Sequence, residues 1–358
     1  MKDYLICGLQ QIGVGVKDLK DAWKWYIDKL GMDCRIFEEK AEATLMKSYT
    51  GGQPMARHAV LAMNLQGGGG FEIWQYTGKT PIGAFHEIKL GNLGIYACKI
   101  KVKNINKVYD FFTKTGAPVL GPPAEDPSGK KTFFINDPLG NTFQLVEAFD
   151  WFMNERKNNG GSYGAIIGVT DVEKSRAVYS DILGYNEVEY DMTGTFSDLK
   201  NLPGSNAKMH RVLLKKSGPV PGPFGKLLGK SQIELISAEE HNKDRIFEGR
   251  HWGDLGFIHL CFDIVGMEKL KDYCGRSGYP FTIDSQTSSN GNSFDMGEAA
   301  GHFSYIEDPD GTLIEFVETH KIPIAKKLGW YLNLQKRDPR KNLPDWILKF
   351  LRFSRTKF

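Results

Sequence analysis

Glu72 and Glu234 each stand alone among apolar neighbours, in the runs Phe71-Glu-Ile-Trp74 and Ile233-Glu-Leu-Ile236. A carboxylate on the inner face of a strand must be paired with a cation, bound to a metal or protonated, because an isolated buried charge is too costly. On an edge strand the same acid would simply face water. A second pair of segments ends on donors at matching places: Asp308-Pro-Asp-Gly-Thr-Leu-Ile-Glu315 on an acid, Asp137-Pro-Leu-Gly-Asn-Thr-Phe-Gln144 on an amide. His259 lies in an extended apolar run. A lone histidine there is ordinarily a hydrogen-bonded structural residue, unless its position in a larger pattern makes it a ligand. His302 is a spare histidine near the closing strand. Gly67–Gly70 lacks the strand, lysine and helix that surround a phosphate loop. Cys7, Cys34, Cys98, Cys261 and Cys274 are widely spaced and form no C-x-x-C, against both a disulfide framework and a zinc knuckle.

These residues sit in a chain of 358 residues, 41% apolar and 25% charged, long enough for two or three domains with a substantial core. Gly 40 and Pro 16 are too few for a disordered or collagenous chain. The net charge of +3 does not argue for nucleic acid. From Lys321 to Phe358 there are eleven basic and two acidic residues, net +9, which leaves residues 1–320 at −6. The N-terminus does not read as an export signal and no apolar run reaches the length of a membrane span, so a cytoplasmic protein with reduced thiols is expected.

The elements that must position the donors come from an internal repeat. Val16–Met32 returns as Val169–Tyr185, each reading strand, cap, helix and turn, with Asp18 and Asp171 at the cap and Gly31 and Gly184 at the stop. Ala97–Val102 and the helix after it parallel His259–Ile264 and its helix, and each of these units closes with the D-P-x-G turn and strand. Four units follow, about 5–77, 93–150, 161–237 and 255–319, each with room for a strand, a helix and three strands. Gly67–Gly70 reads as a flexible hairpin connection, Lys216–Gly229 as a loop and Asn158–Gly161 as a linker between halves. Trp23, Trp25 and Tyr26 read as core or interface side chains. The inward or outward direction of Arg211 is unreadable, and His241, Lys243 and His251 border the fourth unit as surface residues.

The units resemble the βαβββ modules of the vicinal oxygen chelate superfamily, which includes glyoxalase I, extradiol dioxygenases and bleomycin-resistance proteins. The resemblance implies an α+β fold: four βαβββ modules forming two open, curved mixed-sheet barrels, followed by a short basic C-terminal helical tail. The expected organisation is a first two-module domain at 1–157, a second at 158–320 and a tail at 321–358, with the first and fourth modules able to pair instead. The family's metal slots fall at Gln11, Ala97, Gly164 and His259 on the first strands and at Glu72, Gln144, Glu234 and Glu315 on the last. Ala97 and Gly164 offer no side-chain donor. Pairing the first module with the fourth unites Gln11, Glu72, His259 and Glu315. Sequential pairing separates them and makes Glu234 an alternative ligand with His259 and Glu315. The first arrangement is preferred because it concentrates the donors. It is also similar to the Gln, Glu, His, Glu order of glyoxalase I, whose opening the run Leu9-Gln10-Gln11 and the helix ending Tyr-x-x-x-Leu-Gly-Met resemble.

By this resemblance the chain is expected to hold one divalent ion, with Zn, Ni, Co, Fe and Mn all suited to such an N/O set. The implied activity is a glyoxalase-like isomerase or lyase acting on a small oxygen-chelating substrate through an enediolate-type intermediate. Glu315 is the first catalytic candidate and Glu72 its partner. The alternatives are a ligand-binding or resistance protein without catalysis and a metal-dependent extradiol-type dioxygenase. The latter would want a second histidine where the chain has Gln11 or Gly164. A small-molecule partner with adjacent oxygens is expected, with no nucleic acid, membrane contact unlikely by charge balance, and a monomer or homodimer. In the tail, Pro344 opens a short helix with Trp346, Ile347, Phe350 and Leu351 on one face and Lys349 and Arg352 beside it, expected to pack on the acidic body.

Overall fold

The helix signals act as their chemistry dictates. Asp18 Oδ1 accepts a hydrogen bond from the Asp21 N–H at 2.9 Å, and Asp171 Oδ1 accepts one from the Lys174 N–H at 3.1 Å. Gly31 closes the first helix in the left-handed region, at φ +70. The computed structural model describes residues 2–239, 243–288, 294–295, 300–325 and 329–358, so His241 lies outside the described residues.

The first module runs β1 (Leu5–Gly15), α1 (Leu19–Leu30), β2 (Cys34–Glu42), β3 (Ala56–Met63) and β4 (Gly70–Tyr76). The second runs β5 (Gly94–Val102), α2 (Ile105–Lys114), β6 (Ala124–Glu125), β7 (Lys131–Asn136) and β8 (Thr142–Glu147). The third runs β9 (Asn159–Gly168), α3 (Val172–Arg176), β10 (Glu187–Gly194), β11 (Met209–Lys215), the short α4 (Gly225–Leu228) and β12 (Gln232–Ala238). The fourth runs β13 (Gly256–Val265), α5 (Met267–Arg276), β14 (Ile283–Asp284), β15 (Phe294–Asp295), β16 (Ala300–Glu307) and β17 (Leu313–Ala325). β18 (Trp330–Asn333) and α6 (Asp345–Phe350) complete the chain.

The strands form two open, curved mixed sheets, each built from two modules. One has the order β14-β16-β17-β13-β1-β4-β3-β2, joining the fourth module to the first. The other has the order β10-β11-β12-β9-β5-β8-β7-β6, joining the third to the second. The seams are antiparallel, β1 on β13 and β5 on β9. Within each module the first and last strands run parallel, for example β1 with β4.

A continuous apolar core built from all four modules ties the sheets together, and includes Trp23, Tyr26, Phe71, Phe143, Tyr179 and Phe262. Two matching hydrogen bonds cross between the sheets. Tyr26 Oη donates to Asp137 Oδ2 at 2.7 Å, and Tyr179 Oη donates to Asp308 Oδ2 at 2.9 Å. Each links a helix tyrosine of one module to the aspartate that opens the D-P-x-G turn of the next. That aspartate also accepts the turn's own N–H groups, as from Leu139 and Asn141 at 2.9 Å.

Several connections differ from the sequence reading. Gly67–Gly70 does join β3 to β4, but it is buried, because a Cβ at Gly67 would fall 2.7 Å from Gly160 Cα and one at Gly68 1.8 Å from the Leu227 carbonyl oxygen. Close packing of backbones, not flexibility, accounts for these glycines. Most of the expected linker is ordered as the start of β9, and the expected loop at 216–229 carries α4, whose Leu227 and Leu228 are buried beside β1. The tail packs on the body by part of the expected face, Ile347 and Leu351, together with Leu348. Leu348 is the buried residue of α6, while Trp346 and Phe350 stay exposed at 55% and 57%. Arg355 pairs with Glu155 and lies 3.7 Å from Asp33, so the tail's basicity does meet body acids. No helix among the described residues is long and apolar enough to cross a membrane.

Candidate metal centre

β1 and β13 meet in register with Gly13 opposite His259 and Gln11 opposite Cys261. Gly13 is required there, because a Cβ on it would lie 2.3 Å from the imidazole Cε1 of His259. On the flanking parallel strands, Glu72 pairs in register with Gly13 and Glu315 with Cys261. Four adjacent strands therefore bring the first and last modules' donors onto one concave face.

His259 Nε2 lies 3.1 Å from Glu315 Oε2 and 3.4 Å from Glu72 Oε2. Ligand atoms of Glu72, His259 and Glu315 all fall within 4.8 Å of one another, the only such His/Cys/Asp/Glu group among the described residues. Gln11 is buried on the same cavity wall. The cavity measures about 390 Å³ and is lined by Gln11, Glu72 and Glu315 together with Trp252, Phe303 and Tyr305.

The polar atoms of this cluster do not satisfy each other. Gln11 Oε1, both ring nitrogens of His259 and Glu315 Oε2 are buried and have no hydrogen-bond partner. Native interiors seldom leave such groups unpaired. Two carboxylates, an imidazole and an amide oxygen, all within one buried pocket, form an N/O donor set that fits a divalent ion, with ligand distances of about 2 Å. Without a cation the charges strain each other. Burial and the neighbouring Glu315 carboxylate push Glu72 up to about 7. Burial alone would lower His259, but the Glu315 and Glu72 carboxylates outweigh it and raise it.

Aromatic side chains shape the walls. The Trp252 ring stacks parallel to His259 at 6.1 Å, and Tyr305 meets it edge-on at 5.5 Å. Neither was singled out in the sequence. Tyr305 had a signal, since it pairs with Glu315 across the hairpin closed by the Asp308 turn. Trp252 lies in the irregular segment before β13 and had none.

The equivalent place in the second sheet is occupied by the protein's own cations. Gly164 stands opposite Lys99 on the β9–β5 seam, where the first sheet has Gln11 opposite Cys261. Lys99 Nζ donates to Glu234 Oε2 at 2.7 Å and also to Gln144 Oε1. Arg211 takes the other oxygen of Glu234, with Nε at 2.8 Å, and holds Asp198 with two further bonds at 2.8 and 3.0 Å. Burial pushes the Glu234 carboxyl up, but the charges and hydrogen bonds of Arg211 and Lys99 outweigh it and hold it down to about 2. Glu234, the alternative ligand, thus lies in the other sheet with both oxygens engaged. Lys99 and Arg211 were missed as site-defining residues, because strand direction alone hides which way they point.

The remaining sequence candidates disperse. His302 is buried against Asp284 at 2.8 Å, outside the cluster. His251 lines a separate cavity of about 480 Å³. Lys243 Nζ donates to the Thr170 carbonyl on the surface. All five cysteines are free and buried.

An α+β fold of paired βαβββ modules with a His–carboxylate cluster across the seam defines a class of metal-chelating scaffold. The chain belongs to the Glyoxalase/Bleomycin resistance protein/Dioxygenase superfamily, whose profile matches residues 8–145 and 163–316. Glyoxalase I from Zea mays is similar in fold, at 14% identity and TM-score 0.52, over 88% of this chain and 92% of that one. A Bacillus subtilis protein carried under the provisional name of dioxygenase is similar at 14% identity and TM-score 0.57, over 99% and 98%. No curated protein sequence matches the chain.

Proposed function

We propose that the chain is a divalent-metal-dependent isomerase or lyase of the glyoxalase type, with Gln11, Glu72, His259 and Glu315 as its ligands. The observation that carries this reading is the convergence of Glu72, His259 and Glu315 within 4.8 Å, with no Lys or Arg paired to either carboxylate among the described residues. Zn, Ni, Co, Fe and Mn all suit that donor set. When bound, such an ion supplies Lewis-acid stabilisation of negative charge on two adjacent substrate oxygens.

The chain's own residues supply the rest. Glu315 takes a proton from the hydroxyl-bearing carbon beside a carbonyl and delivers it to the carbonyl carbon, while the hydroxyl proton passes to the former carbonyl oxygen, with an enediolate-type intermediate between the two carbon transfers. Glu72 presents the opposing carboxylate. Trp252 and Tyr305 fix the imidazole plane of His259 and keep water from it. The single histidine of the cluster favours this chemistry over an extradiol dioxygenase, which uses two histidines and one carboxylate.

The test is proton exchange. Metal-loaded protein incubated in D2O with small 2-hydroxy carbonyl compounds and thiol adducts of 2-oxoaldehydes should place deuterium beside the carbonyl without consuming oxygen. Oxygen consumption with catechols would select the dioxygenase reading. Tight binding of such compounds with no exchange at all would select the binding protein.

A further inference from the structure

Arg57 stands on β3 and opens into the same cavity as Glu72 and Glu315. Its guanidinium is held from one side only. Nη2 donates to Glu39 Oε2 at 2.7 Å, while Nη1 is buried and meets no acceptor among the described residues. An unpaired buried guanidinium donor is costly to leave unmade. It points to an anion that arrives with the ligand.

Its position fixes where that anion sits. Leu61 pairs with Glu72 and Arg57 with Tyr76, so Arg57 lies four residues farther along β3. At about 3.4 Å per residue that is roughly 14 Å between the backbone positions, a span the arginine side chain shortens. The cavity they share is lined in part by the apolar side chains Phe37, Met46, Leu61 and Phe303. Glu39 already pairs with one side of the guanidinium and Glu42 also lines the cavity, so each further negative charge is costly there. A singly charged carboxylate is therefore matched better than a doubly charged phosphate.

We propose that Arg57 Nη1 anchors a carboxylate at the far end of the substrate. The molecule this site takes then carries two adjacent oxygens at one end, an apolar middle and one carboxylate at the other. The inference rests on the metal-centre reading above and assigns the substrate class of that site.

Calorimetry on the full chain loaded with Zn²⁺ tests it, using hydroxamates as probes with two adjacent oxygens. The monohydroxamates of succinic, glutaric, adipic and suberic acid are compared with alkyl hydroxamates of equal length. At least one acid should bind about tenfold or more tighter than its alkyl partner, the worth of a charge-assisted hydrogen bond. Arg57→Met should abolish that preference while leaving zinc content and alkyl hydroxamate affinity unchanged, and Arg57→Lys should keep part of it. A second variant, Arg57→Met with Glu39→Gln, removes the orphaned acid and should behave as Arg57→Met does. Equal binding of acids and alkyl partners, or a preference that survives Arg57→Met, overturns the inference alone. Failure of the wild-type chain to hold zinc, or of every hydroxamate to bind the zinc-loaded chain, overturns the metal-centre reading and this inference with it.

Discussion

Lys99 Nζ lies 2.7 Å from Glu234 Oε2 in one sheet, at the place where the other sheet turns Glu72 towards His259 and Glu315. Gln144 and Glu234 occupy the slots of Glu315 and Glu72, and the ammonium bridges them as a built-in cation. One sheet is thus closed by its own charges. The other presents two carboxylates at those slots with only His259 beside them, and the repulsion between Glu72 and Glu315 is what an added cation relieves.

Lys99→Met leaves Glu234 facing Arg211 alone and removes a buried charge partner. Breaking such a pair costs about 3–5 kcal/mol. Denaturant unfolding should show that loss, while metal content stays at the wild-type level. Unchanged stability, or loss of metal, would mean the two sheets are not divided in this way.

Acid should find the same network. Glu234 is held down to about 2, from an ordinary value of 4.5. A depressed carboxylate contributes stability above its unfolded value, and that contribution is lost as pH falls from about 4.5 through about 2. Wild type should therefore lose stability steeply across that window. Glu234→Gln should be less stable at neutral pH and show a shallower acid slope, measured by unfolding at a series of pH values.

Gly13→Ala should damage the site from behind. The added Cβ would fall 2.3 Å from His259 Cε1, so the imidazole must move. Overpacking of this kind costs about 1–3 kcal/mol. The variant should fold, by circular dichroism, yet bind zinc at least about tenfold more weakly, as expected when a ligand is displaced. Wild-type zinc affinity in a folded Gly13→Ala chain would show that the His259 position is not needed.

Tyr26→Phe and Tyr179→Phe each remove the donor to a buried aspartate between the sheets. Leaving a buried acceptor short of a partner costs about 1–3 kcal/mol. The two losses should add to within about 0.5 kcal/mol, since separate contacts behave independently. Thermal or denaturant melts of the single and double variants check this.

Much of this frame is legible in the chain. Asp18, Asp171 and Gly31 mark helix ends because capping is local chemistry, and the Asp137 and Asp308 turns mark hairpins for the same reason. The slots of Gln11, Glu72, His259 and Glu315 follow from the family resemblance applied to the repeats, and the structure brings Glu72, His259 and Glu315 together. What stays hidden depends on contacts between distant segments. Lys99 draws no reading and the direction of Arg211 is unreadable, because their partners Glu234 and Asp198 are set by tertiary packing. The tail's apolar stripe is half right: Ile347 and Leu351 pack with Leu348, while Trp346 and Phe350 stay exposed. The helix after Asp171 also loosens into a π-helical segment at Ala177–Ile182, which no propensity in that run announces.

Metal content decides the central claim most directly. Elemental analysis of chains purified in parallel should find about one divalent ion per wild-type chain and per Glu234→Ala chain. Gln11→Ala should retain less, and His259→Ala essentially none. A His259→Ala protein that keeps its ion, or a Glu234→Ala protein that loses it, would contradict the account.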